Sequence, residues 1–450
     1  MSPIEIRATY SLASLFALRM LGLFMILPVF SVYGAELDGA NAMLVGFAIG
    51  AYGLTQALFQ VPFGLLSDRL GRKPVIILGL LIFFVGSVIA AVSDSIYGVI
   101  AGRALQGAGA IASVVMALLS DLTRDQNRTK AMAGVGASIG LSFSIAIVLG
   151  PILASWLGVS GLFWFIAALA ILGVWVVVWV VPTPELQHSN RDSRPVPSQF
   201  VTVLKNLELL RLNMGIFLLH LAMTACFVAV PVVLVSKVGL PSPGHWMVYL
   251  PILLVSFVFM IPLMIVAEKK RRIREVFLVA IALLCISLFA LSTWHSTIFS
   301  LCAGLFVFFW AFNLLEAMLP SMVSKIAPAG NKGTSMGVYS SSQFLGAFFG
   351  GLGGGYLHGA LGLGSVFLAS GILVLLWFIV AFGMKQPRFL HSYRIELTGV
   401  DSLCNLKARL LSVEGVEDAI IVAEEGAAYL KVDKNCLDDE HLKQIAEAAG

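Results

Sequence analysis

The sequence predicts an all-α polytopic membrane protein, with twelve transmembrane helices in two pseudo-symmetric six-helix bundles and a small α+β ferredoxin-like C-terminal domain. Three observations carry that expectation. The 450 residues are 59% hydrophobic and 12% charged, with a mean hydropathy of +0.94, whereas soluble domains carry about 25% charged residues. Apolar runs of about 20 residues, the length at which a helix crosses the hydrocarbon core, recur along the chain. After about Pro387 the composition turns over: from Tyr393 onward there are twelve acidic against six basic residues and no apolar run long enough to span.

The twelve runs fall at approximately 9–33, 41–66, 74–93, 95–119, 129–155, 160–181, 210–237, 246–267, 274–293, 297–323, 333–359 and 363–384. The first lacks a small-residue cleavage site and is followed by further spans, so it reads as a retained helix and not as a secretory signal. Lysine and arginine set the orientation. With the N-terminus in the cytoplasm, the inner connections hold Arg69, Arg72, Lys73, Arg124, Arg128, Lys130, Arg191, Arg194, Lys205, Arg211, Lys269 to Arg272, Arg274, Lys325 and Lys332. The outer connections hold one cation, Lys237. This asymmetry follows the positive-inside rule and puts both termini in the cytoplasm. The formal charge of +4 is thus a topology signal, and no nucleic-acid motif accompanies it.

The polar stretch "PTPELQHSNRDSRPVPSQ" separates the halves, giving an N-terminal bundle over 1–181, a cytoplasmic linker over 182–207, a C-terminal bundle over 208–385 and a cytoplasmic domain over 386–450. Faint internal symmetry relates the halves. "GLLSDRLGRKPV" after span two has a basic counterpart in "VAEKKRRIREV" after span eight, and "NRTKAMAGVGASIG" resembles "GNKGTSMGVYSSSQ". Paired repeats of this kind are the architecture of secondary transporters, with the substrate site near the midplane between them.

In the tail, "YRIEL" alternates like a strand. Asp401 is placed to cap a helix in which Leu403, Leu406 and Leu410 share a face. "EDAIIVAEE" and "AAYLKVD" read as a strand pair about Glu425-Gly426, and Asp439 to Ala449 as a second helix. The order β-α-β-β-α is that of a ferredoxin-like domain with its closing strand short or absent. Its cadence resembles that of small metal-chaperone domains, but only Cys404 lies near the start of the first helix. No CxxC pair occurs among Cys226, Cys285, Cys302, Cys404 and Cys436, so neither a disulfide framework nor a metal site is expected. The tail is read as a docking or regulatory unit with a cytoplasmic ligand or partner.

The loop "GLLSDRLGRKPV" carries more than topology requires. Its cations Arg69, Arg72 and Lys73 need no other explanation, but Asp68 is an anion where cations are favoured. Gly64 and Gly71 permit a turn and close helix approach. Together Gly64, Asp68, Arg69, Gly71, Arg72 and Lys73 resemble, residue for residue, the signature between the second and third helices of the major facilitator superfamily. "RALQGAGA" in span four looks like the arginine-glutamine-glycine signature of its proton-coupled members, and Gly150-Pro151 like the core of its antiporter motif. Ala146 and Ala154 stand where that motif prefers glycine, which leaves antiport and inward symport both open. The resemblance covers about residues 10–385, and the acidic tail narrows it to the YajR-like drug–proton antiporters.

That resemblance implies a latch: the signature aspartate, here Asp68, held against the N-terminus of the eleventh helix, where the helix dipole favours an anion. It also implies that Asp121, in "LLSDLTRD", pairs with the signature cations, and that Arg103 takes part in proton handling.

Inside the spans, ionisable side chains are few and functional by default. Glu316 in "AFNLLEAMLP" is the acidic residue well within a span, with Asn313 three residues away on the same face. Proton coupling and a structural pairing with an arginine both fit it. His220 shares a face with Asn213 and Thr224 and is a second coupling candidate. Tyr52, Gln56 and Gln60 form a polar stripe on span two that should face a cavity or a neighbouring helix. Arg19, in "FALRMLGLF", joins them with Asn313 as a substrate-cavity candidate. Ser138 with Ser142 and Ser342 with Gln343 are weaker ones. Few polar groups in an apolar cavity suit small amphipathic organic substrates. No Walker loop is present, no nucleophile–base arrangement recurs and no cofactor is implied. The expectation is a proton-coupled drug-efflux carrier of the bacterial inner membrane, and not an enzyme. A membrane sensor signalling through its tail is the reading from another class.

Overall fold

The fold is set by where a lipid-spanning helix can begin, turn and break. The computed structural model describes residues 1–183, 200–328, 331–384, 386, 391–396, 403–422, 427–432, 436–438 and 441–442. The helices are α1 (Pro3–Phe24), α2 (Phe30–Tyr33), α3 (Ala42–Leu70), α4 (Arg72–Val92), α5 (Ile96–Ala108), α6 (Ala112–Asp121), α7 (Asp125–Trp175) and α8 (Phe200–Lys205) in the first half. The second half holds α9 (Leu207–Ser236), α10 (Trp246–Lys269), α11 (Ile273–Thr293), α12 (Ile298–Ile326), α13 (Lys332–Leu361) and α14 (Leu363–Phe382). Nine stretches among the described residues are long and apolar enough to cross a membrane. One of them, α7, is two passes joined at Gly158, whose φ of +68° turns the chain back. The less apolar α1 and α13 complete the twelve.

Ser2 caps α1, accepting from the Glu5 amide while the Glu5 carboxylate accepts from the Ser2 amide, the reciprocal capping box. Asn41, Asn206 and Thr297 cap α3, α9 and α12. Three expected spans are interrupted. The first stops after Phe24 and resumes at Phe30, where Pro28 cannot donate a helical hydrogen bond. The fourth divides into α5 and α6 around Gly109. A side chain at Gly109 would collide with the backbone of Gly79, so the break lets α4 approach. The sixth ends in a π-turn over Val176–Val180. Within the expected linker, Phe200–Lys205 is helical.

The first six passes pack on one another, as do the last six, and the two bundles meet chiefly along α3 and α13. These run antiparallel, and their contact is made by backbone. A methyl group at Gly46 would strike Gly351 and Gly355, one at Gly50 would strike Phe348, and one at Gly53 would strike the Phe344 carbonyl. Further along, Ser341 Oγ donates to the Ala57 carbonyl at 3.4 Å. Small residues permit this approach where lipid provides no hydrophobic drive. The glycine contacts lie toward the end of the bundle opposite the 64–75 loop. At the same end Ser31 Oγ donates to the Phe227 carbonyl at 3.3 Å. Gly150-Pro151 lies there too, with Gly150 against the Met25 carbonyl, and Phe143 meets Phe24, Phe227 and Phe309.

The tail begins with β1 (His391–Glu396), then α15 (Leu403–Leu411), β2 (Val416–Val422) and β3 (Ala427–Val432). The sheet order is β1-β3-β2 with both pairings antiparallel, the arrangement of a ferredoxin-like split unit. Leu406 and Leu410 of α15 pack on Val416, Ala428, Leu430 and Val432. The alternate residues of β3, Ala427, Tyr429 and Lys431, are buried as well, and Lys431 Nζ donates to the Ser324 carbonyl of α12 at 2.9 Å. The Asp401 cap, the Glu425-Gly426 turn, the side chains of Leu403 and Cys404 and most of the expected 439–449 helix lie outside the described residues.

The glycine seam makes a prediction. Gly46→Leu should part α3 from α13 at that end, raising a spin-label distance between the two helices by at least about 3 Å, since packed helices sit 8–10 Å apart according to the side chains between them. An unchanged distance distribution would remove the seam as a determinant of closure.

Candidate functional site

Three polar clusters lie along the membrane body. The first is the 64–75 loop. Gly71, at φ +93°, ends α3 and starts α4, a conformation open to glycine at little cost. This turn carries Arg72 back beneath α3. Its side chain is 3% exposed and pairs with Asp68 Oδ1 at 2.6 Å and, through Nε, with Asp121 Oδ2 at 3.1 Å. Ser67 Oγ accepts a third hydrogen bond from Arg72. Lys73 Nζ donates to the Val181 carbonyl at 2.6 Å, tying α4 to the end of the sixth pass. Gly64 is buried and Arg69 exposed. Asp121 is 2% exposed and Asp68 24%, so the two acids holding Arg72 are not equivalent.

Beside the loop lies a second ion pair, one that composition and motif do not indicate. Glu5 receives the Arg124 backbone amide at 2.9 Å, the Arg124 guanidinium at 3.1 and 3.2 Å and the Asn127 amide at 3.0 Å. The Ser2 capping box fixes Glu5 at the start of α1, and no local pattern relates it to α7. The Arg124 guanidinium and backbone amide hold the Glu5 carboxyl well below its ordinary value of 4.5.

The second cluster lies deep in the first bundle. Arg19 Nη2 donates to Gln56 Oε1 at 2.6 Å, and Gln56 Nε2 to Gln60 Oε1 at 3.4 Å. Arg103 donates to Gln106 Oε1 at 2.7 Å and to the Ala48 and Ile49 carbonyls at 3.4 and 3.5 Å. Gln106 in turn donates to Ser87 Oγ at 2.8 Å. The Arg103 guanidinium lies 5.2 Å from the centroid of the Tyr52 ring.

The third cluster joins α9, α12 and α13. Gln343 Nε2 donates to Glu316 Oε1 at 3.2 Å and lies 2.8 Å from His220 Nε2. The other ring nitrogen, His220 Nδ1, faces Glu316 Oε2 at 3.9 Å. The Glu316 side chain is 38% exposed, but its Oε2 is buried and meets no hydrogen-bond partner among the described residues. Asn313 turns elsewhere, donating to Ser256 Oγ of α10 at 2.9 Å. Its shared helical face with Glu316 therefore does not make them one site. Gln343 is the residue that does, and its distance in sequence from Glu316 concealed it. Asn213 and Thr224 are buried beside His220 on α9. Ser138, Ser142 and Ser342 donate to carbonyls of their own helices. Among the described residues no group of three or more His, Cys, Asp or Glu could hold a metal ion.

A polytopic helical body with two matched bundles and buried polar clusters defines a membrane transport protein. The profile of the Major Facilitator Superfamily matches residues 12–272 and 214–392, and the chain belongs to that family. The tail, over 393–444, matches the profile of the YajR YAM domain. The inner membrane transport protein YajR of Escherichia coli K12 is 50% identical over 450 residues, covering 100% of this chain and 99% of that protein. The multidrug resistance protein MdtH of Edwardsiella ictaluri is 25% identical over 76% of this chain and 84% of its own length. The crystal structure of the human organic anion transporter MFSD10 (TETRAN) shares the fold with a TM-score of 0.62 at 21% identity, covering 84% of this chain and 100% of that one.

Two predictions follow from the ion pairs. Asp121→Asn should lower the unfolding free energy by about 1–3 kcal/mol, because it strips a buried charged hydrogen bond from Arg72. The more exposed Asp68→Asn should cost about 1 kcal/mol or less; thermal melting in detergent ranks the two. For Glu5, the depressed value means its contribution is present above pH 4.5 and is lost as pH falls through the folded-state value. Glu5→Gln should therefore melt below wild type at pH 7, with the gap narrowing on acidification below pH 4.5. A constant gap would assign the loss to packing.

Proposed function

We propose that this protein is a proton-coupled secondary transporter of the bacterial inner membrane that exports amphipathic organic compounds by alternating access. The observation that carries the reading is the cluster of Glu316, Gln343 and His220. A carboxylate within the spans, one of whose oxygens is buried without a hydrogen-bond partner among the described residues, is bridged by one amide to an imidazole on another helix. Such a group can load a proton and release it when α12 and α13 shift, and intramembrane carboxylates have that role by default. The name of the Escherichia coli relative supports the location, and the multidrug resistance proteins among the relatives support the direction and the substrate class.

Gating is assigned to the 64–75 loop. Arg72, clamped between Asp68 and Asp121, ties the base of α3 to α4 and α6, so these elements move together. Protonating or removing either acid loosens that tie by a few kcal/mol at most, which suffices between states of nearly equal energy. The seam of α3 and α13 packs the opposite end, and in this reading opening alternates between that end and the loop end. The tail, tied to α12 by Lys431, is assigned the role of regulating that opening.

Purified protein in proteoliposomes tests the reading. With an imposed pH gradient, Glu316→Gln should abolish proton-linked flux of an amphipathic dye, and Asp68→Asn should lower it at least about tenfold with normal membrane insertion. Pump-like flux in Glu316→Gln with unchanged pH dependence would return Glu316 to a structural role.

A further inference from the structure

Arg19 is a buried cation whose neighbours are neutral. It is 4% exposed. Nη2 reaches the Gln56 amide oxygen, the Tyr52 hydroxyl lies within interaction distance of the guanidinium, and Nε and Nη1 meet no well-aligned acceptor among the described residues. The guanidinium lies 6.0 Å from the Tyr52 ring centroid and 5.8 Å from that of Phe83, and Arg103 stands 5.2 Å from the same Tyr52 ring. Two guanidiniums thus share one aromatic ring, and the acceptors found for both are neutral amides and carbonyls. The ion pairs of this bundle lie at the loop end, on Arg72 and Arg124. Glu316 is in the other bundle with Gln343. Aromatic faces offset part of the cost of burying such charge, but a guanidinium in a low-dielectric interior calls for an anion. The donors here converge, and among the described residues no anion faces them.

We propose that Arg19, with the Tyr52 hydroxyl and Gln56 beside it, recognises an anionic headgroup, so that the transported compounds are amphipathic acids carrying a carboxylate, sulfonate or phosphate on an apolar body. The inference rests on the transporter reading and names its substrate class. The surroundings are apolar. Arg19 borders a gap between α1, α4 and α7, beside Leu80, Phe83, Leu169, Ala170 and Gly173; the gap is too tight for water in this conformation, so the body of an amphiphile enters only as these helices part. Gln56 and Gln60 continue the polar path along α3, and their neutral amides steer the guanidinium without neutralising it. An acid at either position would have satisfied Arg19 internally and left no charge to recognise a ligand.

The test uses the full chain in lipid nanodiscs with two matched probes, naphthalene-2-carboxylate and its neutral amide. The carboxylate should raise the melting temperature saturably and the amide should not. In Arg19→Gln the half-saturating concentration should rise at least about tenfold, the loss of a charge-assisted hydrogen bond. Gln56→Glu should abolish the response while melting no lower than wild type, because it supplies the missing anion from within; this variant keeps the test open if Arg19→Gln does not fold. Equal stabilisation by the amide, no shift with the carboxylate, or a carboxylate response that survives both substitutions would overturn the proposal. Proteoliposome flux separates the two readings. Movement of the amide that depends on Asp68, with no response to the carboxylate, leaves a transporter and removes the anion site. Arg19-dependent carboxylate binding with flux of neither compound keeps the site and removes the transporter.

Discussion

A bilayer interior offers no water to a charge, so every ionised group placed there must be met by another group of the chain or by a ligand. The polar organisation of this protein follows from that constraint. Arg72 enters the buried layer because Asp68, Ser67 and Asp121 receive it. Arg103 is held by Gln106 and two carbonyls. Glu316 is admitted beside an amide and an imidazole, with one oxygen left without a hydrogen bond among the described residues. Arg19 is met by a neutral amide, and a transporter is a protein in which an incompletely satisfied charge has a use.

The same constraint explains how the bundles touch. Without hydrophobic drive between helices, contact depends on fit, and the fit between α3 and α13 comes from absent side chains. Gly46, Gly50 and Gly53 meet a strip that includes Gly351 and Gly355, so the two backbones meet directly. A seam with little to interlock can also part, which is what alternating access requires of it. The 64–75 loop sits at the other end of the same helix α3. The seam and the loop are thus two ends of one helix.

Much of this was legible in the sequence. Apart from the first, whose helix α1 runs Pro3–Phe24, the apolar runs match the observed passes within a few residues, because span length is dictated by bilayer thickness and read from local composition. The family, and the tail's order of one strand, a helix and a strand pair, follow equally from local pattern. What pattern missed were interruptions and partners. The break at Gly109 exists because α4 needs room, a demand made by a different helix. Asn313 and Glu316 share a face in sequence, yet one bonds to α10 and the other to α13.

The sequence by itself determined the class of protein, its count of passes, its tail domain and which residues carry charge into the membrane, because each is a property of a short stretch judged against lipid. Only the tertiary structure decided which of those charges are met. Gln343 closes the Glu316 site from another helix, Glu5 clamps Arg124 across more than a hundred residues, and Arg19 is left with a neutral amide. Partnership between buried groups is a matter of distance in space, and helices that cross a membrane bring together residues that no local pattern relates.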